Sequence, residues 1–587
     1  MRPVSRNDRI HSSVTLALKD CRRVFLSVAV FSGVVNLLML AGPLYMLQIY
    51  DRVLGSRSIP TLIALSVFLV GAYLFQGVLD AIRGRLVVRA ANLLDRDLSS
   101  GVHNAVIHIA TRSRNAEHAN QPVRDLDQVR TFLNSAGPIA IVDLPWVPLF
   151  LGTCFLIHLW LGVLACIGGA ILLGLTLLTE RTSRLPSREV GRLAGIRSVL
   201  IEADRSNSET IVAMGMTKAL SERWTNVNQS YLTAVGISSD IVGGYGSVSK
   251  VVRMLLQSAI LGLGAFLVIK QELSAGAMIA ASIMVGRALA PIETVIANWR
   301  TFLAARVGIR RLSDTLSRTE IEGQHMMLPA PSCNISIDNA VVAAPGASKA
   351  TLSDINFSLV AGEALGIIGP SGGGKTSLAR ALVGIWPLMR GNVRMDGASI
   401  DQWDPRHLGH HIGFLSQSVE LFDGTIAENI ARMVVEPDSE QVLRAARVAG
   451  AHDMILRLPS GYDTRIGDGG MALSAGQRQR IALARALYGD PFLVLLDEPN
   501  SNLDSEGENA LREAIRQAKV RGAIVIIIAH RSMILTACDK ILYVANGTQR
   551  AFGPRDEVLR KLAAPVSLQP AELDLQAIGG AVSGRFR

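Results

Sequence analysis

Gly369-Pro-Ser-Gly-Gly-Gly-Lys375-Thr376 follows the strand-like run Ala364–Ile368 and precedes the helical run Ser377–Val383. The stretch fits GxxxxGK[ST] in the strand–loop–helix setting of a P-loop. Its glycines let backbone N–H groups turn inward around phosphate oxygens, and the following helix adds the positive end of its dipole. Gly369, Pro370, Ser371, Gly372, Gly373, Gly374, Lys375, Thr376 and Ser377 are therefore expected to line a phosphate cradle. Lys375 would reach the β- and γ-phosphates, and the Thr376 hydroxyl would hold Mg²⁺. Downstream, Phe492-Leu-Val-Leu-Leu-Asp497-Glu498 is an apolar strand ending in two acids. A carboxylate there suits a hard cation, so Asp497 is a candidate Mg²⁺ ligand. Glu498 is placed to orient or deprotonate an attacking water.

Around these motifs, from about residue 333 to 562, short β-rich runs such as Ala364–Ile368, Val494–Leu496 and Ala523–Ile528 alternate with helical stretches. Such alternation predicts an α/β domain with a largely parallel sheet. Upstream the chain changes character. Runs of about 20 apolar residues, enough to cross a bilayer, occupy Val24–Tyr45, Ile59–Leu79, Val248–Ile269 and Ala275–Ile296, and the run Pro138–Thr179 is long enough for two. His158-Leu-Trp160 marks a turn between that pair. The expectation is an all-α domain of six spans over residues 24–310, a linker at 311–332, and the nucleotide domain at 333–562. Residues 1–23 would be a cytoplasmic lead-in and 563–587 a tail of no assigned role.

Bulk composition agrees. Of 587 residues, 49% are hydrophobic and 18% charged, against about 25% charged in soluble domains. The net charge of +10 permits nucleic-acid binding. Its arginines, however, collect in segments 80–137 and 180–247, and the opposite turns are short and carry few basic residues. The positive-inside rule then places both long segments, the N-terminus and the C-terminal half in the cytoplasm. Apolar residues at helical spacing make those segments extensions of the spans. Cys21, Cys154, Cys166, Cys333 and Cys538 form no CxxC pair, so they read as isolated reduced thiols.

A third segment, Leu473-Ser474-Ala475-Gly476-Gln477, precedes a basic helix at Arg478–Ala486. With the P-loop, Leu495-Leu-Asp497-Glu-Pro499, Ser501-Asn-Leu-Asp504 and Ala529-His530, it resembles the nucleotide-binding domain of ATP-binding cassette proteins. That resemblance implies ATP and Mg²⁺ as cofactors. Leu473–Gln477 would be the signature that covers the γ-phosphate held on a second cassette. Gln417 would be the Q-loop glutamine and a Mg²⁺ contact, His530 the switch histidine, and Asp504 a coupler between two sites. Lys375, Glu498 and His530 form the implied catalytic set. Two departures stand out. Ala475 replaces the usual glycine, and Ala344 occupies the place where many members stack an aromatic ring on adenine. Six spans with one cassette make half a transporter, completed most simply as a homodimer.

The membrane half resembles a narrower group, the ATPase-permeases of bacterial type I secretion, in particular exporters of metalloproteases and lipases. The stretches that carry this likeness are Leu40-Ala-Gly-Pro-Leu-Tyr-Met-Leu-Gln-Ile-Tyr50-Asp51-Arg52-Val-Leu, Asp143-Leu-Pro-Trp146-Val-Pro and Gly286-Arg287-Ala-Leu-Ala-Pro291-Ile-Glu293. The likeness implies an inner-membrane component that exports a protein bearing a C-terminal signal. It would work with a periplasmic adaptor and an outer-membrane channel. An exporter of lipid, peptide or small molecule shares every cassette motif and stays open as the alternative. Six apolar spans argue against a soluble DNA-binding ATPase; a membrane regulator that hydrolyses ATP without transport is a third reading. Charges inside spans usually face a cavity or a partner, so Asp143 and Arg287 are candidate path residues. Lys250 and Arg253 sit where snorkelling to the interface would serve as well.

Overall fold

The apolar runs of the first half fold into helices far longer than a bilayer is thick. In the computed structural model, which describes residues 13–112, 119–322, 327–347, 349–467, 473–529 and 532–563, the chain forms two compact units, Met1–Glu322 and Gly323–Arg587. The first unit is helical. Its main helices are α1 (Ser13–Leu38), α2 (Ala41–Gln48), α3 (Ile59–Arg112), α4 (Gln121–Leu133), α5 (Gly137–Asp143), α6 (Val147–Ile157), α7 (Leu159–Ser206), α8 (Thr217–Ile269), α9 (Ala275–Ala297) and α10 (Trp299–Glu322). Among the described residues, six segments are long and apolar enough to cross a membrane: Cys21–Ser56, Ile59–Arg112, Gly137–Ile157, Leu159–Ser206, Thr217–Ile269 and Ala275–Ala297. Helices α3, α7 and α8 run 54, 48 and 53 residues without interruption. At about 1.5 Å per residue each exceeds the roughly 30 Å hydrocarbon core more than twofold, so span and extension are one rod. Phe68 and Leu74 are 71% and 68% exposed on α3. Water would penalise that surface and lipid does not.

Proline sets the breaks. Pro43 has no N–H, and its ring opposes the carbonyl four residues back, at Met39. The first span accordingly ends α1 at Leu38, turns at Met39-Leu40 and restarts as α2. It continues as a π-helical turn, Ile49–Val53. There the Asp51 carboxylate accepts from Ser274 Oγ at 2.5 Å and from Gly276 N at 2.9 Å, joining the first span to the start of α9. Pro145 lies in a 3₁₀ turn, Leu144–Trp146, between α5 and α6, and Pro148 lies in the first turn of α6. His158 is extended (φ −163°, ψ 137°) and caps α7 through Nδ1.

Two apolar cores hold most of the unit together. Cys154, Leu161, Leu172, Ile260, Met284 and Leu289 pack α6, α7, α8 and α9. Leu94, Leu98, Val129, Leu133, Leu312 and Leu316 pack α3, α4 and α10. Residues 311–322, the first part of the expected linker, continue α10, with Leu312 and Leu316 buried in the second of these cores.

The second unit is a three-layer α/β fold. Its strands are β1 (Asn334–Val342), β2 (Leu352–Val360), β3 (Ala364–Ile368), β4 (Leu388–Met395), β5 (Ala398–Ser399), β6 (Ile412–Leu415), β7 (Gly424–Thr425), β8 (Arg465–Ile466), β9 (Leu493–Asp497), β10 (Ile524–Ile528), β11 (Lys540–Ala545) and β12 (Thr548–Pro554). Ten of them form one sheet in the order β5-β4-β1-β2-β12-β11-β3-β10-β9-β6. The stretch β11-β3-β10-β9-β6 is parallel. Its strands are apolar throughout because both faces are covered. Leu365, Ile367, Leu493, Leu495, Ile524 and Ile526 enter one core, and Val494, Leu496, Val525 and Ile527 enter the other. This alternation follows the pleat. It brings the carboxyl ends of β3 and β9, one strand apart across β10, to the same edge of the sheet, where open α/β folds bind ligands.

Candidate nucleotide site

Beyond β3 the chain turns through residues 369–374 into α11 (Lys375–Leu382). Two glycines make this loop possible. A Cβ on Gly369 would lie 1.9 Å from Val544 O. Gly374 has φ +97°, and a Cβ there would lie 2.6 Å from Leu352 Cδ2. Only glycine meets both demands. Lys375 is buried and folds back on the loop, its Nζ donating to Gly369 O at 2.8 Å and Pro370 O at 2.9 Å. Burial pushes its pKa down, against the upward pull of Glu498 and Asp497. An ammonium so held is poised to exchange carbonyls for phosphate oxygens. Ser371 and Gly372 are exposed at the loop's mouth.

Asp497 ends β9, 1% exposed, with its Oδ1 lacking a hydrogen-bond partner among the described residues. The Thr376 hydroxyl bonds the carboxylate. Burial raises the Asp497 pKa, outweighing Thr376, and nearby Glu498 raises it further. A buried carboxylate oxygen without a partner costs about 1–3 kcal/mol. Together with the adjacent hydroxyl it forms the oxygen set that a divalent cation satisfies. Glu498 follows at φ +50°, a left-handed backbone that costs a non-glycine residue about 1–3 kcal/mol. Its N–H donates to Ile528 O at 3.0 Å, which fixes the bend to β10.

The stretch Leu473–Gln477 caps helix α12 (Ala475–Leu487). Ser474 Oγ accepts from Gln477 N at 3.3 Å and Gln477 Oε1 from Ser474 N at 2.8 Å, a reciprocal capping box. Ser474 and Ala475 are exposed, so the turn presents its N-terminal face outward. Gly476 packs close to the next loop, where a Cβ would lie 2.9 Å from Asn502 O. Asp504 caps α13 (Ser505–Val520) by accepting from Gly507 N at 2.8 Å and pairs with Arg480. Both contacts, Gly507 first, hold its pKa below the usual carboxylate range. Gln417 is exposed beyond β6. Ala344 lies in the loop beyond β1, its carbonyl accepting from Ala347 N at 2.9 Å. His530 lies outside the described residues.

Sequence reading missed Gln479 and Arg480, which lash α12 to the loop after Glu498. A signal was available. Gln479 shares a helical stripe with Ala482, Leu483 and Ala486, all buried, and a glutamine on an apolar stripe asks for partners.

In the helical unit, Asp143 is buried and taken up by neighbours. Arg83 Nη1 reaches both of its oxygens at 3.1 Å, and Asn36 Nδ2 donates to Oδ1 at 2.9 Å. Arg83 also pairs with Asp80 at 2.8 Å and donates to Ser32 at 3.1 Å. Asp143 thus sits inside the packing of α1, α3 and α5, where an ionised group among helices is stable when paired. Arg287 is exposed on α9 and makes no ion pair among the described residues. Lys250 is exposed, while Arg253 pairs with Glu293 at 2.7 Å, tying α8 to α9.

P-loop, strand-end carboxylates and a capped helix on a half-parallel sheet, carried in a chain with six membrane-length helices, define an ATP-binding cassette transporter. Residues 352–501 match the ABC transporter model and residues 25–287 the ABC transporter transmembrane region. The chain is 49% identical over 553 residues to the type I secretion system ATP-binding protein PrsD of Rhizobium meliloti, covering 94% of this chain and 95% of that one. It is 30% identical to the alpha-hemolysin translocation ATP-binding protein HlyB of Escherichia coli, over 96% of this chain and 79% of that one. The chain belongs to the ABC transporters and, within them, to the type I secretion ATP-binding proteins; its cassette is an ATPase coupled to transport. A bacterial Atm1-family ABC exporter with ATP bound superposes with a TM-score of 0.80 at 24% identity, over 92% of this chain and 97% of that one. That likeness establishes the fold.

Proposed function

We propose that this chain exports a protein from the cytoplasm as the inner-membrane ATPase of a type I secretion system. The observation that carries the reading is the end-to-end likeness to PrsD, which spans the membrane unit as well as the cassette. Export of a lipid, peptide or small molecule is not favoured, because the relatives that align over nine-tenths or more of this chain are named for type I secretion, cyclolysin secretion and alpha-hemolysin translocation. The partners of this reading are a periplasmic adaptor, an outer-membrane channel, a substrate with a C-terminal signal and a second copy of the chain. The cassette faces the cytoplasm.

In this mechanism the loop Gly369–Gly374 and the N-terminus of α11 grip the phosphates. Lys375 releases its two carbonyls to bind them. Thr376, Asp497 and Gln417 hold Mg²⁺, which when bound supplies charge neutralisation at the β- and γ-oxygens. Glu498 orients and deprotonates the attacking water. His530 contacts the γ-phosphate. Ser474 and Gly476 of the partner subunit close over it, with Leu473, Ala475 and Gln477 shaping that turn and Asp504 relaying between the sites. ATP favours the closed pair because its γ-phosphate touches both chains, which gives the differential affinity that a switch needs. Arg287 faces the path.

Cysteine cross-linking tests the pairing. In a chain with Cys166 and Cys333 replaced by serine, Ser371→Cys and Ala475→Cys should form an interchain disulfide in the presence of ATP and much less without it. Equal cross-linking with and without ATP would overturn the closed-pair mechanism.

A further inference from the structure

Gln479 lies two residues past the Leu473–Gln477 turn and is 2% exposed. Its side-chain amide is spent entirely on the loop that follows Glu498. Nε2 donates to Pro499 O and to Glu498 O at 3.3 Å and approaches Ser501 Oγ at 3.5 Å. Oε1 accepts from Asn502 N at 3.0 Å. The loop holds an unfavourable bend at Glu498, φ +50°. On its amino side the bend is tied to Ile528 O of β10 at 3.0 Å. On its carbonyl side the tie is Gln479. The direction of the Glu498 carboxylate depends on that bend, and one hydrogen bond on each side of it, Glu498 N to Ile528 O and Gln479 Nε2 to Glu498 O, holds it. The neighbouring Arg480 extends the same grip, donating to Gly450 O at 3.3 Å and pairing with Asp504.

We propose that Gln479 is a positioning residue for hydrolysis: it locks the left-handed peptide at Glu498 and ties it to the helix whose first turn is Ser474–Gln477. The chemistry demands this residue type. A planar amide offers donors and an acceptor on one head at this reach. Glutamate keeps the acceptor for Asn502 N but turns an anion toward two carbonyls. Methionine keeps the volume and makes none of these bonds. The consequence for the assembly rests on the pairing described under the proposed function. In a closed pair, the amide that sets a chain's own base also holds the turn that covers the partner's ATP. A shift at one site is thereby felt at the other.

The test uses the full-length chain, purified in detergent. In Gln479→Glu and Gln479→Met, kcat for ATP should fall about tenfold or more, the scale of losing two buried hydrogen bonds at the reacting group. KM and the affinity for a fluorescent ATP analogue should stay within about twofold, while the melting temperature falls by the few degrees that buried groups left unpaired cost. The Hill coefficient for ATP should drop toward one. An unchanged kcat in both variants would overturn the proposal. So would a joint fall of kcat and ATP affinity, which marks a packing role. Should Gln479→Glu fail to fold, Gln479→Met, which buries no charge, decides. A wild-type Hill coefficient of one contradicts the two-site pairing, while the split between kcat and KM still decides the positioning claim.

Discussion

Replacing Asp497 by asparagine should stabilise the nucleotide-free protein while destroying its response to Mg²⁺. Asp497 is 1% exposed, and one of its carboxylate oxygens has no hydrogen-bond partner among the described residues. Its folded pKa is raised, chiefly by burial. Ionisation is therefore harder in the folded state than in the unfolded one. The stability contributed by this group is present at low pH and is lost as pH rises through the folded pKa. Above that point the charged oxygen costs about 1–3 kcal/mol. Asp497→Asn removes the charge, so at pH 8 the cassette should melt about 2–12 °C higher, taking about 2–4 °C per kcal/mol. The gain should shrink as the pH is lowered and the wild-type carboxyl takes up a proton. With Mg²⁺ and ATP the order should reverse, because wild type gains binding energy that the variant cannot collect. Scanning fluorimetry with and without Mg-ATP across pH 5 to 8 reads all three effects. A nucleotide-free variant no more stable than wild type at pH 8 would refute the reasoning that this carboxylate is held in reserve for a cation.

Gly369→Ala should abolish ATP binding while leaving the protein folded, because the added Cβ would sit 1.9 Å from Val544 O and must displace the cradle; equilibrium binding of labelled ATP checks it. Arg83→Met should destabilise the helical unit by about 3–5 kcal/mol by stranding a buried carboxylate, and adding Asp143→Asn should recover much of the loss, as read by thermal aggregation in detergent. GTP should compete measurably with ATP, since Ala344 offers no ring to stack on the base, and Ala344→Tyr should sharpen the preference; a displacement assay in which GTP fails at concentrations where ATP succeeds refutes this.

Much of the fold is legible in the chain because the signals are local. Strands β3, β9 and β10 are short apolar runs flanked by turn residues, and the six spans are long apolar runs separated by charge. The P-loop and the Asp497-Glu498 pair announce themselves because phosphate and cation chemistry need those residue types at fixed spacing. What the chain hides are groups whose meaning depends on distant partners. Asp143 reads as a lone acid in a span until Arg83, 60 positions earlier, closes on it. The left-handed backbone at Glu498 has no sequence signature, since it is imposed by Ile528 and Gln479 from other elements. The break at Met39-Leu40 is the intermediate case: Pro43 predicts it through the carbonyl four residues back, yet hydropathy alone runs straight through. Charge marks where the apolar runs of α3, α7 and α8 stop, while the helices themselves continue through without a break.

The central claim, that this ATPase exports protein, is tested most directly by comparing the proteins in the culture medium of wild-type cells with those of cells carrying Lys375→Ala. The account predicts that one or a few proteins vanish from the medium and accumulate inside the cells, while the variant chain is still made and inserted in the membrane. An unchanged set of secreted proteins, with the variant's ATPase activity abolished, would contradict it and return the cargo to the class of lipids, peptides or small molecules.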